Sequence, residues 1–167
     1  MLGRKGVRTA VANFFAPPNV AGLNSVYSGE PRLVTSNAYF AGQKSGAVGW
    51  PYIESQKDRR IAFTGGPQPG GGQAKLIIYE VAFSYRFLSY QAKAEDALDD
   101  NDNGIDALTA RIRSDRTFGG TLWQVGEGDT VMGEDIHVMS GPGPKVRKQD
   151  GPIIIWSMVR FIAIEAI

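Results

Sequence analysis

The residue types and spacing best suited to chemistry lie in "DDNDNG", where Asp99, Asn101, Asn103 and Gly104 occupy positions 1, 3, 5 and 6 of an EF-hand calcium loop. Such a loop closes with a bidentate glutamate at position 12, because calcium takes roughly six to eight oxygens and the early positions supply about half of them. Here position 12 is Ala110 and position 9 is Ala107, so carbonyls and water alone would have to finish the shell. The same stretch also reads as a helix. Stepping about 100° per residue, Tyr90, Ala94, Ala97, Leu98, Asn101, Ile105, Leu108 and Ile112 fall within an arc of roughly 100°, with Glu95, Asp99, Asp102, Asp106 and Arg113 on the other side. This apolar stripe runs through the acidic cluster without a change of register, which predicts a helix over residues 90–115 with a solvated acidic face and no metal site. Acids at its start and Arg111, Arg113 and Arg116 at its end suit the helix dipole. A break near Gly104 is the remaining alternative, since glycine costs a helix about 1 kcal/mol against alanine.

Other chemical groupings are thinner. His137 is the only histidine and cysteine is absent, so a nucleophile would have a single possible base, lying in the strand-like "DIHVM". "GGPQPGGGQAK" resembles a phosphate loop only superficially, because Lys75 follows Ala74 and precedes Leu76, where a Walker A motif needs Gly-Lys followed by Ser or Thr. "QKDRR" and "KVRK" are small basic clusters, read as solvated loops that could touch phosphate or an acidic protein rim. No catalytic constellation emerges, so the expected class is a non-enzyme with no cofactor and no metal.

Composition sets the frame for these residues. A chain of 167 residues is expected to form one domain, burying roughly 70% of its unfolded surface. A net charge of +1, from 18 basic and 17 acidic residues, offers no global attraction to nucleic acid or to an anionic membrane. Arg8, Thr9 and Asn13 interrupt any apolar run in "MLGRKGVRTAVANFF", and no segment approaches a membrane span, so the expected location is cytoplasmic with no membrane partner.

The elements expected to position these residues follow from periodicity. Val7, Ala10, Val11 and Phe14 predict a helix over 4–15, ended by Pro17 and Pro18. "GLNSVYSGEPRLV" reads as a loop leading into a strand. Residues 36–75 read as irregular, with short strands near 46–54 and 59–64 and the loop "GGPQPGGGQAK". "KLIIYEVAFSYRFL" is the clearest strand: Ile77, Tyr79, Val81, Phe83, Tyr85 and Phe87 alternate with Ile78, Glu80, Ala82, Ser84 and Arg86. "GGTLWQVGEGD" and "EDIHVMSG" suggest strands, and "GPGPKVRKQDGP" a basic loop. "IIIWSMVRFIAIEAI" is apolar on both faces, the mark of a strand central in a sheet or covered on both sides. The expected fold class is α/β, more specifically α+β, with a mostly antiparallel or mixed sheet flanked by two helices and long glycine-rich loops.

The order of "VRTAVANFF", "GLNSVYSGEP", "SGAVGWPYIESQKDRRIAFTGG", "QAKAEDALDDNDNGIDALTARIRSDRTFGG", "WQVGEGD" and "WSMVRFIAIEAI" resembles the tail terminator proteins of long-tailed, non-contractile (siphovirus-type) phages, especially those infecting actinobacteria. The resemblance covers most of the chain, residues 1–167 as a single domain. It implies a structural subunit that assembles as a homohexameric ring on the head-proximal end of the tail tube. There the ring stops tube polymerisation and joins the tail to the head connector, with DNA passing through its lumen. Implied partners are the chain itself, the tail tube protein and the connector or neck protein; the implied location is the virion, after assembly in the host cytoplasm. A neck or head-tail joining component is the alternative, and a small ligand-binding module a more distant one. Glycine-rich residues 36–75 are the expected assembly region, with Lys57, Arg59, Arg60 and Phe63 the expected contacts to a neighbouring subunit or the tube.

Overall fold

The alternating segment around residues 76–88 forms the spine of the molecule. The computed structural model describes residues 2–32, 45–61, 74–90, 93–122, 124–126, 137–140, 145–146 and 152–167. Within them, strand β3 (Ala74–Ser89) pairs antiparallel along its length with β2 (Ser45–Ile61) on one side and with β7 (Ile153–Ala166) on the other. Strand β1 (Leu23–Val26) runs parallel to β2. The outer edge of β7 is lined by β4 (Gln124–Gly126) opposite Ile162–Ile164, β5 (His137–Ser140) opposite Ser157–Arg160 and β6 (Lys145–Val146) opposite Ile153 and Ile154. The sheet is therefore mixed, in the order β1-β2-β3-β7-β4, and the fold is α+β.

Both helices, α1 (Gly3–Phe15) and α2 (Ala94–Ser114), pack on one face of this sheet. The odd-numbered side chains of β3 and β7, from Ile77 to Phe87 and from Ile153 to Ala163, meet Val7, Val11 and Phe15 of α1 and Ile105, Leu108 and Ile112 of α2 in one core. The expected two-sided β7 is observed. Its other face joins Leu76 and Ile78 to Ile162 and Ile164 at one end, while at the other Ile154 packs against Val48, Trp50 and Leu88. Between these clusters the face is polar: Arg160 pairs with Glu54 at 2.7 Å, and Arg86 lies 5.2 Å from the ring centre of Trp156, which is 56% exposed.

Helix α2 passes unbroken through the acidic run, with Asp99, Asp102 and Asp106 exposed and Ala97, Asn101, Ile105, Leu108 and Ile112 buried. It begins at Ala94, later than the expected residue 90, and Tyr90 stays outside it, 55% exposed. Gly104 has a packing reason. A Cβ there would lie 2.1 Å from Tyr85 Oη and 2.8 Å from its Cζ, so the helix can cross the strand this closely only where the side chain is missing.

Four expectations need correction. Residues 46–61 do not hold two short strands with "QKDRR" as a loop, because β2 continues to Ile61 in register with β3. The physical reason is the backbone ladder to β3, unbroken from Ser55 opposite Glu80 to Ile61 opposite Ala74. Two exposed cross-strand pairs, Lys57–Glu80 at 2.9 Å and Lys75–Asp58 at 2.6 Å, add a little to it in a sequence with little β propensity of its own. Part of "GLNSVYSGEPRLV" is strand β1, not loop, since Leu23 is buried and its segment pairs with Ala47–Gly49. In the basic loop, Lys145 and Val146 pair with β7. Of the loop expected at 65–75, Ala74 and Lys75 already belong to β3, and residues 65–73 lie outside the described residues.

Two buried phenols make the fold sensitive to alkali. Burial and then the hydrogen bond to Glu165 push Tyr79 up to about 12; Tyr85 is also raised, first by burial and then by the charge of Asp100. An unfolded tyrosine ionises near pH ~10, so the folded chain holds protons that the unfolded chain has released. This contribution is complete below pH ~10 and is lost as pH rises beyond it. The melting temperature is expected to fall between about pH 10 and 12, less steeply in Tyr85→Phe; equal slopes for variant and wild type would contradict the burial of this phenol.

Candidate assembly surface

Three of the four expected contact residues, Lys57, Arg59 and Arg60, stand on a strand and not in a loop; Phe63 lies outside the described residues. They occupy the outer half of β2, beyond a bulge between Ile53 and Ser55. Register places Lys57 opposite Ile78 and Arg59 opposite Leu76, on the face away from the helices and beside the apolar cluster of Leu76, Ile78, Ile162 and Ile164. The Arg60 backbone continues the strand opposite Lys75. Beyond Gly49, no strand among the described residues pairs with the other side of β2. Bulges and charged side chains are the usual means of keeping such an edge from indiscriminate pairing.

The charges here are exposed and paired. Lys57 and Glu80 have side chains 66% and 34% exposed, so their bridge contributes about 0–1 kcal/mol. The Ser55 hydroxyl facing it and then the Lys57 ammonium hold the Glu80 carboxyl below the usual range, and a hydrogen bond from Lys75 does the same for Asp58. These pairs position a basic margin more than they stabilise it.

The elements that hold this margin converge at the end of the sheet. The Lys75 and Ile167 amides and carbonyls bond reciprocally at 3.0 and 2.9 Å, closing the end of β7 onto β3. Arg4, at the start of α1, donates to the carbonyl of Ile53 at 2.8 Å. Buried Glu165 accepts from Tyr79 Oη at 3.1 Å and from the backbone amide of Leu2. Sequence reasoning missed Glu165, which looks like one polar residue at the end of an apolar strand.

A second concave surface was also missed. It is an open groove of about 630 Å³ between α1 and the turn after α2, lined by Lys5, Asn13, Phe14, Arg111 and Phe118 among others. Its members come from distant segments. Only the i, i+4 placement of Ala10 and Phe14 on α1 hinted at it.

No protein-family model and no curated protein matches the chain. Among the described residues no group of histidines, aspartates and glutamates is arranged to hold a metal, and no helix is long and apolar enough to cross a membrane. What the described surfaces offer is contact: a charged strand margin on a locked sheet end, and a groove.

Proposed function

We propose that this protein is a structural subunit of a phage tail, a tail terminator that forms a homohexameric ring on the head-proximal end of the tail tube, halts tube growth and presents its other side to the head connector or neck. It acts through surfaces and is not an enzyme. The observation that carries this reading is the order of sequence segments that resembles the terminator family, and it is supported by the α+β fold, with a sheet and two helices, that such a resemblance implies. The exposed outer half of β2, with Lys57 and Arg59 fixed beside an apolar cluster, is the surface assigned to the neighbouring subunit or the tube. Growing tubes add identical rings, so their end stays reactive until a ring with one different face covers it.

The test is a phage lacking this chain, viewed by electron microscopy. Full heads and unattached tail tubes of variable length are expected, with length control restored by the wild-type chain. The double variant Lys57→Gln/Arg59→Gln, which removes two exposed strand charges and whose effect on subunit stability is small, should fail to restore it. Normal-length tails attached to heads would refute the assignment; normal-length tails lying free would favour a head-joining role.

A further inference from the structure

The turn after α2 holds an aromatic ring on an unfavourable backbone. Phe118 has φ +50°, a left-handed value that costs a non-glycine residue roughly 1–2 kcal/mol. The Asp115 carboxylate ties the turn down, accepting from the Thr117 amide at 2.9 Å, the Thr117 hydroxyl at 2.7 Å and the Gly119 amide at 2.8 Å. Phe118 thereby stacks on Phe14, ring centres 3.9 Å apart and planes 9° from parallel, and the Arg111 guanidinium lies 4.1 Å from the centre of the Phe14 ring. Together these rings and Arg111 line the groove beside α1, and Lys5 and Asn13 line it from the helix. Arg111 Nε is buried with no acceptor among the described residues. Strained backbone of this kind clusters at ligand clamps and switch regions.

We propose that this groove receives the acidic segment 127–136 of a second copy of the chain. Charge and shape decide the occupant. "EGDTVMGEDI" carries Glu127, Asp129, Glu134 and Asp135 with no base, and places Val131, Met132 and Ile136 among them; the segment itself lies outside the described residues. The groove answers with Lys5 and Arg111, and its own carboxylate, Asp115, is already engaged by three donors. Leu2, 39% exposed, and Ala10 give the groove wall apolar surface for a methionine or a branched side chain, while guanidinium and ammonium take carboxylates. The proposal rests on the ring reading and deepens it: each subunit gives its acidic segment to one neighbour and receives one from the other, a head-to-tail contact that closes a ring.

The test uses a fluorescent synthetic peptide of residues 127–136 titrated with the full-length chain. Saturable binding that weakens as salt rises is expected, reduced by about tenfold or more, equivalent to about 1.4 kcal/mol, in Lys5→Glu. Lys5 is exposed, so this variant reports on the contact and not on folding; Arg111→Gln is the second variant. A peptide with its four carboxylates replaced by amides should bind about tenfold more weakly. Equal binding by Lys5→Glu, equal binding of the amide peptide, or no binding of the acidic peptide overturns the assignment. Native mass separates this from the ring reading. A ring that persists in Lys5→Glu while the peptide fails to bind overturns the groove contact alone, whereas a peptide-binding chain that never closes a ring, even on tubes, overturns the ring alone.

Discussion

Gly104→Ala is expected to melt below the wild type, although alanine is the better helix former by about 1 kcal/mol. The added methyl would lie 2.1 Å from Tyr85 Oη and 2.8 Å from Cζ. Tyr85 is 1% exposed and sits in the main core, so its ring has no room to swing away. Overpacking of this kind costs about 1–3 kcal/mol, at times more, which exceeds the helical gain. Each kcal/mol lost should lower the melting temperature by roughly 2–4 °C in a chain of this size. A companion variant makes the cause testable. The Tyr85 hydroxyl is buried with no partner among the described residues, so Tyr85→Phe alone should be neutral or mildly stabilising. In the double variant the nearest clashing atom is gone, and the two changes should couple by about 0.5 kcal/mol or more. Strict additivity would mean that the phenol is not what glycine accommodates.

The same glycine shows how far the sequence was legible. Periodicity carried α2 through "DDNDNG" because the stripe from Ala97 to Ile112 is local and strong, yet the reason for Gly104 lies 19 residues earlier in the chain, on Tyr85, which no local window contains. β3 and β7 were readable for a related reason: their alternation is long enough to define both faces, and the observed pairing from Leu76 opposite Ala166 to Ser89 opposite Ile153 puts the expected residues on each. β2 was not. Gly46, Gly49 and Pro51 punctuate its first half and "QKDRR" fills its second, so its continuity comes from partners, Glu80 and Lys75, that appear only once the register is known. The short strand β6 owes its existence to the edge of β7 in the same way, whereas β5 falls within "EDIHVMSG", where a strand is expected. Of the contact residues, Lys57 and Arg59 carry charge that the sequence shows and a shared strand face that it does not; of the groove of Phe14, Arg111 and Phe118 the sequence holds only the α1 spacing, because stacking across a left-handed turn leaves no pattern in one dimension.

Glu165→Ala is expected to destabilise the subunit by about 1–3 kcal/mol, the cost of leaving the buried Tyr79 hydroxyl unsatisfied, with a smaller share from the part-buried Leu2 amide. Glu165 is 6% exposed; one oxygen accepts from Tyr79 Oη at 3.1 Å and the other from the Leu2 amide at the start of α1. Helix N-termini carry amides without helical partners, and a carboxylate placed there meets both the hydrogen-bond demand and the dipole. Glu165→Gln keeps one acceptor oxygen and should cost markedly less than the alanine variant, and Tyr79→Phe should remove part of the penalty when combined with Glu165→Ala, because one stranded donor disappears with the hydroxyl. Denaturant unfolding of the four proteins measures this directly. A loss in Glu165→Ala no larger than in Glu165→Gln would show that neither donor depends on the carboxylate. The consequence for assembly follows from place: Glu165 joins the first turn of α1 to the last turn of the chain on β7, beside the Lys75–Ile167 pairing that closes β3 and next to the outer half of β2. A contact margin built on this sheet end is as rigid as that junction, so a variant that loosens it should cap tubes poorly even where Lys57 and Arg59 are intact.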